Sequence, residues 1–423
     1  VSEIAVWGLG KMGLPLAAVL AHAGYTVTGI DVDEKKVEII IRGENPYPAE
    51  PGLNEMLSSV VQAQLFSATT NPVKANIHII IVPILLENKK ADFSIVLDVL
   101  KKIATVLRKG DIVVLESTAP PGTCDTKVKP VLEQTGLKAG LDFGIAHAPE
   151  RTMAGSALED ITQKYPKIVG ASDEDTSDTL VKMYSEINQK GVILMRNTKT
   201  AEAVKVFEGV YRDVNIALAN ELACYCERTH IDVTEVIAAA NTQPYCHLHN
   251  PGVGVGGHCI PVYPYFIMSD STPLIKKARK INEHMPEYTV NLIEKKLKTH
   301  GIPPKKAKAL LLGIAFRGGV KEERFSPFFT VRDKLLAKGI QVCAFDPLFT
   351  KEETEAYKVK YNPGFSGVDV VVILTDHKEF CQLDWDRIYH KGARIIIDGR
   401  NILDSHTLRE KGFDCIGIGI STW

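Results

Sequence analysis

Ile4-Ala-Val-Trp7-Gly8-Leu9-Gly10-Lys11-Met12-Gly13 opens the chain, followed by an apolar run over residues 14–23 and a second apolar stretch over 25–30 that ends at Asp31. The order is strand, glycine turn, helix, strand, terminal acid, which is the dinucleotide-binding fingerprint in its required context. Gly8 permits the tight turn, Gly10 lets a pyrophosphate approach the backbone, and Gly13 lets the helix pack on the strand. Lys11 and Met12 lie inside the same turn. Asp31 is placed to address ribose hydroxyls, and its charge repels a 2′-phosphate, so NAD is expected over NADP. An incidental glycine turn would explain the glycines but not the elements around them in this order.

Outward from that stretch, β and α patterns alternate. Residues 77–82 and 111–115 read as buried strands and 92–107 as a helix, so a parallel sheet is predicted. Ligands bind such sheets outside the carboxyl ends of the strands. Those ends carry Val82-Pro83 and Glu116-Ser117-Thr118-Ala-Pro-Pro-Gly122-Thr123, with Thr118 a candidate polar contact. A further strand over 143–147 runs into Ala148-Pro149-Glu150-Arg151. An adjacent acid and base can be a solvated pair, but the place just after a strand favours a functional one.

From residue 198 to about 300 the pattern becomes helical. The segment 200–229 is long for a globular helix and reads as a spine and a dimer surface. Lys205 lies in its first third, where a lysine is usually solvated. A second helix over 274–298 carries Arg279 and Asn282 and is broken by Gly301-Ile-Pro303-Pro304. Between the two lies Asn250-Pro-Gly252-Val-Gly254-Val-Gly256-Gly257-His258-Cys259-Ile-Pro261. Its glycines strip side chains from a run of backbone, which can then bend through positive φ and let a substrate approach. Its N–H groups can cradle an oxyanion or a phosphate. His258 and the flanking dipoles would lower a thiol pKa that starts near 8.5, making Cys259 the proposed nucleophile. A free cysteine is more often buried and inert, and the glycine density on both sides weighs against that here.

The last third returns to the α/β rhythm, with strands over 309–314, 341–345 (ending at Asp346), 370–374 and 395–397. Two polar loops follow strands: Ala315-Phe316-Arg317-Gly-Gly-Val-Lys321-Glu-Glu-Arg324 and Asp398-Gly399-Arg400-Asn401. Arginines at such ends suit a diphosphate, which they grip bidentately. Without the full glycine fingerprint this part is expected to bind a nucleotide other than NAD. The predicted class is α/β, with two Rossmann-type parallel-sheet domains (1–197 and 305–423) joined by a central helical domain (198–304).

The chain has 423 residues and a net charge of -1, from 50 basic and 51 acidic side chains, which leaves no field for nucleic acid or an anionic membrane. A small-molecule partner is expected. No run reaches transmembrane length, and the eight cysteines are scattered as in a protein of the reducing cytoplasm. Cys224, Cys226 and Cys246 lie near His247 and His249, but Cys-Tyr-Cys within a helix points its thiols to different faces, so no metal is expected.

Taken together, the glycine fingerprint, Glu116-Ser117-Thr118, Pro149-Glu150-Arg151, Lys205, Gly256-Gly257-His258-Cys259-Ile-Pro261 and Ala315-Phe316-Arg317 resemble the UDP-sugar 6-dehydrogenases over essentially the whole chain. The resemblance implies NAD on the first domain, a UDP-sugar held by the centre and the last, a homodimer or higher oligomer, and oxidation of a sugar C6 hydroxyl to a carboxylate in two NAD-dependent steps. It implies that Cys259 attacks the bound aldehyde, and that the thiohemiacetal is oxidised to a thioester for water to cleave. Lys205 would stabilise charge on the C6 oxygen, and Glu150 and Thr118 would orient water or reacting groups. Val82, Pro83, Ser117 and Arg324 would join the glycine turn on the cofactor side. Arg151, Asn250, Gly252, Gly256, Gly257, His258, Phe316, Arg317 and Arg400 would contact the substrate.

The Pro-Glu-Arg form looks like the branch acting on N-acetylated sugars, which favours UDP-N-acetylmannosamine and leaves UDP-N-acetylglucosamine and UDP-N-acetylgalactosamine open. The chain departs from the family pattern at Gly209, where asparagine is usual, at Tyr263, where aspartate is, and at Ile84, where threonine is; Arg317 stands where many members carry lysine. Two other classes compete. A two-electron hydroxyacid dehydrogenase shares the glycine start and a catalytic lysine but needs neither Cys259 nor a third domain. A sugar-nucleotide-binding protein without activity would explain Gly209 and Tyr263.

Overall fold

The computed structural model describes residues 2–153 and 155–420. The chain forms two compact units, Val1–Glu208 with Tyr265–Ile267, and Gly209–Pro264 with Met268–Trp423.

The first unit is built on strands β1 (Glu3–Trp7), β2 (Thr26–Ile30), β3 (Phe66–Thr69), β4 (Ile77–Ile80), β7 (Ile112–Leu115), β8 (Gly144–His147), β9 (Lys167–Ala171) and β10 (Val192–Met195), with a small hairpin, β5 (Leu85–Glu87) and β6 (Lys90–Asp92), between β4 and β7. The sheet runs β10-β9-β8-β7-β4-β1-β2-β3. β4, β7 and β8 are buried at every position, which is why they read as unbroken apolar runs: helices cover both faces of such a sheet. The strand order reverses at the β1–β4 neighbours, so the glycine turn after β1 and residues 81–83 after β4 open onto one switch point. Sequence reading predicts a parallel sheet, and the pairings are parallel except β8 with β9, which is antiparallel through Ala146↔Ala171 and His147↔Gly170. The predicted strand from 77 stops at Ile80 because the chain turns into the hairpin, whose Asn88 and Lys89 take positive φ. Ile84, at its entrance, is buried.

The second unit repeats the plan with β11 (Lys308–Leu312), β12 (Gln341–Phe345), β13 (Lys360–Tyr361), β14 (Val370–Ile373), β15 (Ile395–Asp398) and β16 (Asp414–Gly417), all parallel, in the order β13-β12-β11-β14-β15-β16. Its core joins Leu311, Val372 and Ile397 to Phe328, Val331 and Leu335 of the helix Pro327–Ala337, and to Met285, Ile293 and Leu297 of the helix Pro273–Thr299. The helix Thr198–Thr229 supplies its first residues to the first unit and the remainder to the second. Among the described residues no helix is long and apolar enough to cross a membrane.

Candidate active site

In the first unit the glycine turn is stitched to β2 by backbone. The Gly8 N–H donates to the Ile30 carbonyl at 2.8 Å and the Leu9 N–H to Asp31 Oδ2 at 2.9 Å. Gly8 has φ +101°, and a Cβ there would meet the Ile81 carbonyl at 2.8 Å, so only glycine fits. A Cβ on Gly13 would lie 1.9 Å from the Gly8 carbonyl oxygen, while one on Gly10 would meet nothing within 4 Å. Open backbone at Gly10, beside the start of the helix Gly13–His22, leaves the room a pyrophosphate needs. Met12 Sδ accepts from the Thr152 hydroxyl at 2.9 Å. Asp31 also accepts from Lys36 Nζ at 2.9 Å. Burial works against the carboxylate's charge, but hydrogen bonds from the Asp33 amide, Lys36 and the Leu9 amide hold its pKa below the usual value. The turn and Asp31 therefore fit NAD. Lys36 escaped sequence reading; its signal was the N-cap at Asp33, whose carboxylate accepts the Lys36 N–H and starts a helix there.

Beyond β7, the Ser117 N–H and hydroxyl both donate to the Ile80 carbonyl, at 3.1 and 3.3 Å, tying that strand end to β4. Glu116 is buried between Lys167 Nζ, at 2.8 Å, and the Tyr184 hydroxyl, and burial raises its pKa. Lys205 is 7% exposed, against the usual solvated lysine of a helix. It donates to the Glu150 carbonyl and lies 3.5 Å from the Glu150 carboxylate. The Pro149-Glu150-Arg151 turn and the helix Thr198–Thr229 thus meet through Lys205 and Glu150, and through Arg151, which pairs with Glu208 at 2.9 Å and stacks over Tyr165.

Sequence reading passed over one buried cluster. Cys124, His147 and Glu202 bring ligand-type atoms within 4.8 Å of one another. The Glu202 carboxylate accepts the N–H groups of Gly122 and Cys124 and so closes the turn after β7. Burial, Lys167 and Lys205 push the His147 pKa down to about 3. That positive surrounding opposes a cation, and Glu202 serves the turn.

In the second unit the glycine loop is held from below by a buried polar ladder. The Gly252 N–H donates to Asn220 Oδ1 at 2.9 Å, Asn220 donates to Asn282, and Asn282 donates to Asp213, which pairs with Arg279 at 2.7 Å. Sequence reading saw Arg279 and Asn282 only as helix residues, because the partners lie more than sixty positions away. From above, a Cβ on Gly252 would lie 3.3 Å from Arg400 Nη1, and one on Gly256 would lie 2.4 Å from Phe316 Cβ. Gly257, at φ +85°, donates its N–H to the Arg324 carbonyl at 2.8 Å. The loop therefore brings Gly252, Gly256, Gly257, Phe316, Arg324 and Arg400 together, while Asn250 and Arg317 lie exposed.

Cys259 follows, half-buried and in no disulfide, and its carbonyl accepts the N–H groups of Val262 and Tyr263 at 3.0 Å. Beside it, His258 Nδ1 lies 2.7 Å from Glu322 Oε1. Gly209 and Tyr263, unusual apart, form a pair: a Cβ on Gly209 would stand 2.3 Å from the Tyr263 ring. The ring of one fills the space that the missing side chain of the other leaves. Among the described residues Cys224, Cys226 and Cys246 are not part of a ligand-type cluster.

Residues 2–188, 199–284 and 310–405 match the NAD binding, central and UDP binding domains of the UDP-glucose/GDP-mannose dehydrogenase family. A UDP-N-acetyl-D-mannosamine dehydrogenase from Pyrococcus horikoshii is 36% identical over 425 residues, covering 99% of each chain. The structure of UDP-D-ManNAc dehydrogenase from that organism superposes with a TM-score of 0.90 at 35% identity, covering 99% of both chains. An NDP-N-acetyl-D-galactosaminuronic acid dehydrogenase from Methanosarcina mazei Go1 superposes with a TM-score of 0.86 at 31% identity, covering 99% of this chain and 95% of that one. Full-length likeness, with the NAD fingerprint intact, leads to one assignment: the chain belongs to the UDP-glucose/GDP-mannose dehydrogenase family and is an NAD-dependent UDP-sugar dehydrogenase.

Proposed function

We propose that this enzyme oxidises the C6 hydroxyl of a UDP-N-acetylhexosamine, UDP-N-acetyl-D-mannosamine first among them, to the uronate in a four-electron reaction through Cys259. The observation that carries the proposal is the glycine loop, anchored by Asn220 and by the Arg324 carbonyl, that ends at the half-buried Cys259 thiol. NAD, when bound, accepts a hydride in each of two steps. Cys259 adds to the intermediate aldehyde, giving a thiohemiacetal and then a thioester, so that one site completes both oxidations. Lys205, already aimed by Glu150, neutralises charge on the C6 oxygen. Glu150 and Thr118 orient water or the reacting groups. Gly8, Gly10, Lys11, Met12, Gly13, Asp31, Val82, Pro83, Ser117 and Arg324 serve the cofactor; the glycine loop, Arg151, Phe316, Arg317 and Arg400 serve the UDP-sugar.

The preference for an acetylated mannose rests on the Pro149-Glu150-Arg151 form and on the names of the relatives. The division into 1–197, 198–304 and 305–423 is kept as the functional one. Exposed Phe207, Tyr211, Leu218 and Tyr225 on the helix Thr198–Thr229 support a homodimer, and eight cysteines outside any disulfide support a cytoplasmic protein.

The test is NADH formed per sugar consumed, with the UDP-linked forms of N-acetylmannosamine, N-acetylglucosamine, N-acetylgalactosamine and glucose in parallel. A ratio near two on the first is expected, and a ratio of one would end the covalent scheme. Cys259→Ser is expected to bind both ligands yet form no uronate. Binding without NADH on all four would point to the sugar-nucleotide-binding alternative.

A further inference from the structure

A thioester route needs a thiolate at its start and a base for water at its end. Position 209 has no side chain to offer, and the Tyr263 ring covers it. A phenol with a pKa near 10 is a poor base at neutral pH. What stands beside Cys259 is its chain neighbour His258, whose Nδ1 lies 2.7 Å from Glu322 Oε1. We propose that Cys259, His258 and Glu322 act as a triad: His258 keeps Cys259 as the thiolate and later takes the proton of the water that cleaves the thioester, while Glu322 positions the imidazole. The proposal deepens the covalent reading above and rests on it for the hydrolytic half.

The backbone holds the three in place. Gly257, next to His258, donates to the Arg324 carbonyl at 2.8 Å, and the Phe316 N–H donates to the Glu322 carbonyl at 3.0 Å. Histidine and glutamate are thus pinned to one short loop. Cys259 and Glu322 are the titratable groups that bear on His258; Arg324, on the same loop, lies 5.5 Å over the Phe325 ring. The hydrogen bond to Cys259, and next the one to Glu322, push the His258 pKa up to about 10, the direction expected of an imidazolium beside a thiolate.

The protons balance along the route. The thiolate forms the C–S bond to the aldehyde, and the resulting alkoxide becomes the thioester as its hydride passes to NAD, the oxidant of the established activity. The negative charge on sulfur that held the proton on His258 has then gone, and His258 releases that proton to solvent. Neutral His258 takes a proton from water as its oxygen bonds to the thioester carbon. The C–S bond breaks, the electron pair returns to sulfur, and the thiolate–imidazolium pair is restored. The acid product loses its own proton to solvent.

The test is the pH dependence of iodoacetamide alkylation on the Cys259 peptide of the full-length enzyme, with Cys259→Ser to assign the peptide. It needs no sugar nucleotide, so it reports on the pair even if the proposed reaction fails. His258→Gln should slow labelling at pH 6.5 at least about ten-fold and move its midpoint towards 8.5. Glu322→Gln should shift it the same way by less, and Glu322→Asp should restore it. Equal rates and midpoints in His258→Gln and the parent would overturn the proposal; if that variant does not fold, equal labelling in Glu322→Gln would do the same. For the hydrolytic half, His258→Gln mixed with NAD and the turned-over UDP-sugar should accumulate an acyl adduct on Cys259 by intact mass, and free thiol throughout with normal uronate output would refute the base role.

Discussion

The two sheets start alike and diverge within three residues. Gly8-Leu9-Gly10 follows β1 and Gly313-Ile314-Ala315 follows β11. Both first glycines take a positive φ, +101° and +105°, and both donate to the last residue of the neighbouring strand, Ile30 and Phe345. Each neighbouring strand is followed at once by an aspartate that accepts from the turn. Asp31 keeps some exposure and pairs with Lys36, whereas Asp346 is 0% exposed, accepting the Ile314 and Ala315 N–H groups at 2.7 and 3.0 Å and lying 3.1 Å from His377. The third position is open glycine in one sheet and buried alanine in the other. One backbone plan thus serves two ends: in the first unit the turn stays open at Gly10, with Asp31 held at its edge, and in the second the acid is a buried staple beneath loops that carry Phe316, Arg324 and Arg400.

The largest effect should come from the staple. Asp346→Asn exchanges a buried carboxylate for an amide that cannot satisfy all its donors and should cost about 3 kcal/mol, roughly 6–12 °C in the melting transition of that unit by calorimetry. Burial alone would raise the Asp346 pKa, but His377 and the Ala315 and Leu348 amides bring it below the usual value. A depressed folded pKa stabilises above the unfolded value, so the gap between parent and variant should be full above about pH 4 and shrink as pH falls below it. A gap that persisted to low pH would show that shape, not charge, makes the staple.

Gly10→Ala imposes the second sheet's residue on the first. Nothing lies within 4 Å of the new methyl, so the melting temperature should hold while NAD affinity, followed by fluorescence titration, drops about ten-fold, or 1.4 kcal/mol. Undiminished affinity would break the comparison at its third position. The smallest effect is expected from Asp31→Asn, which removes the charge that repels a 2′-phosphate and leaves Lys36 to attract one. The ratio of kcat/KM for NAD over NADP should fall about five-fold, just under 1 kcal/mol, and an unchanged ratio would remove Asp31 from cofactor choice.

Residues close in sequence were the legible part. Gly8 to Asp31, the buried strands around it and the glycine run before Cys259 declare themselves through local period and turn chemistry, since their burial follows from residues a few positions apart. β3 and β10 did not, being four residues long and partly exposed, with Ile193 and Leu194 about half exposed. Gly209 and Tyr263 read as two losses and form one packed pair; no pattern joins residues 54 positions apart before the chain folds.

By itself, then, the sequence determined the fold class, the cofactor and which side chains are candidates for the chemistry, because these rest on backbone freedom, periodicity and side-chain chemistry. Tertiary structure decided which of them touch. It buried Lys205 against Glu150, set His258 against Glu322, and held the glycine loop through Asn220, Asn282, Asp213 and Arg279. Hydrogen bonds of 2.7–3.5 Å act between atoms that only packing brings into reach.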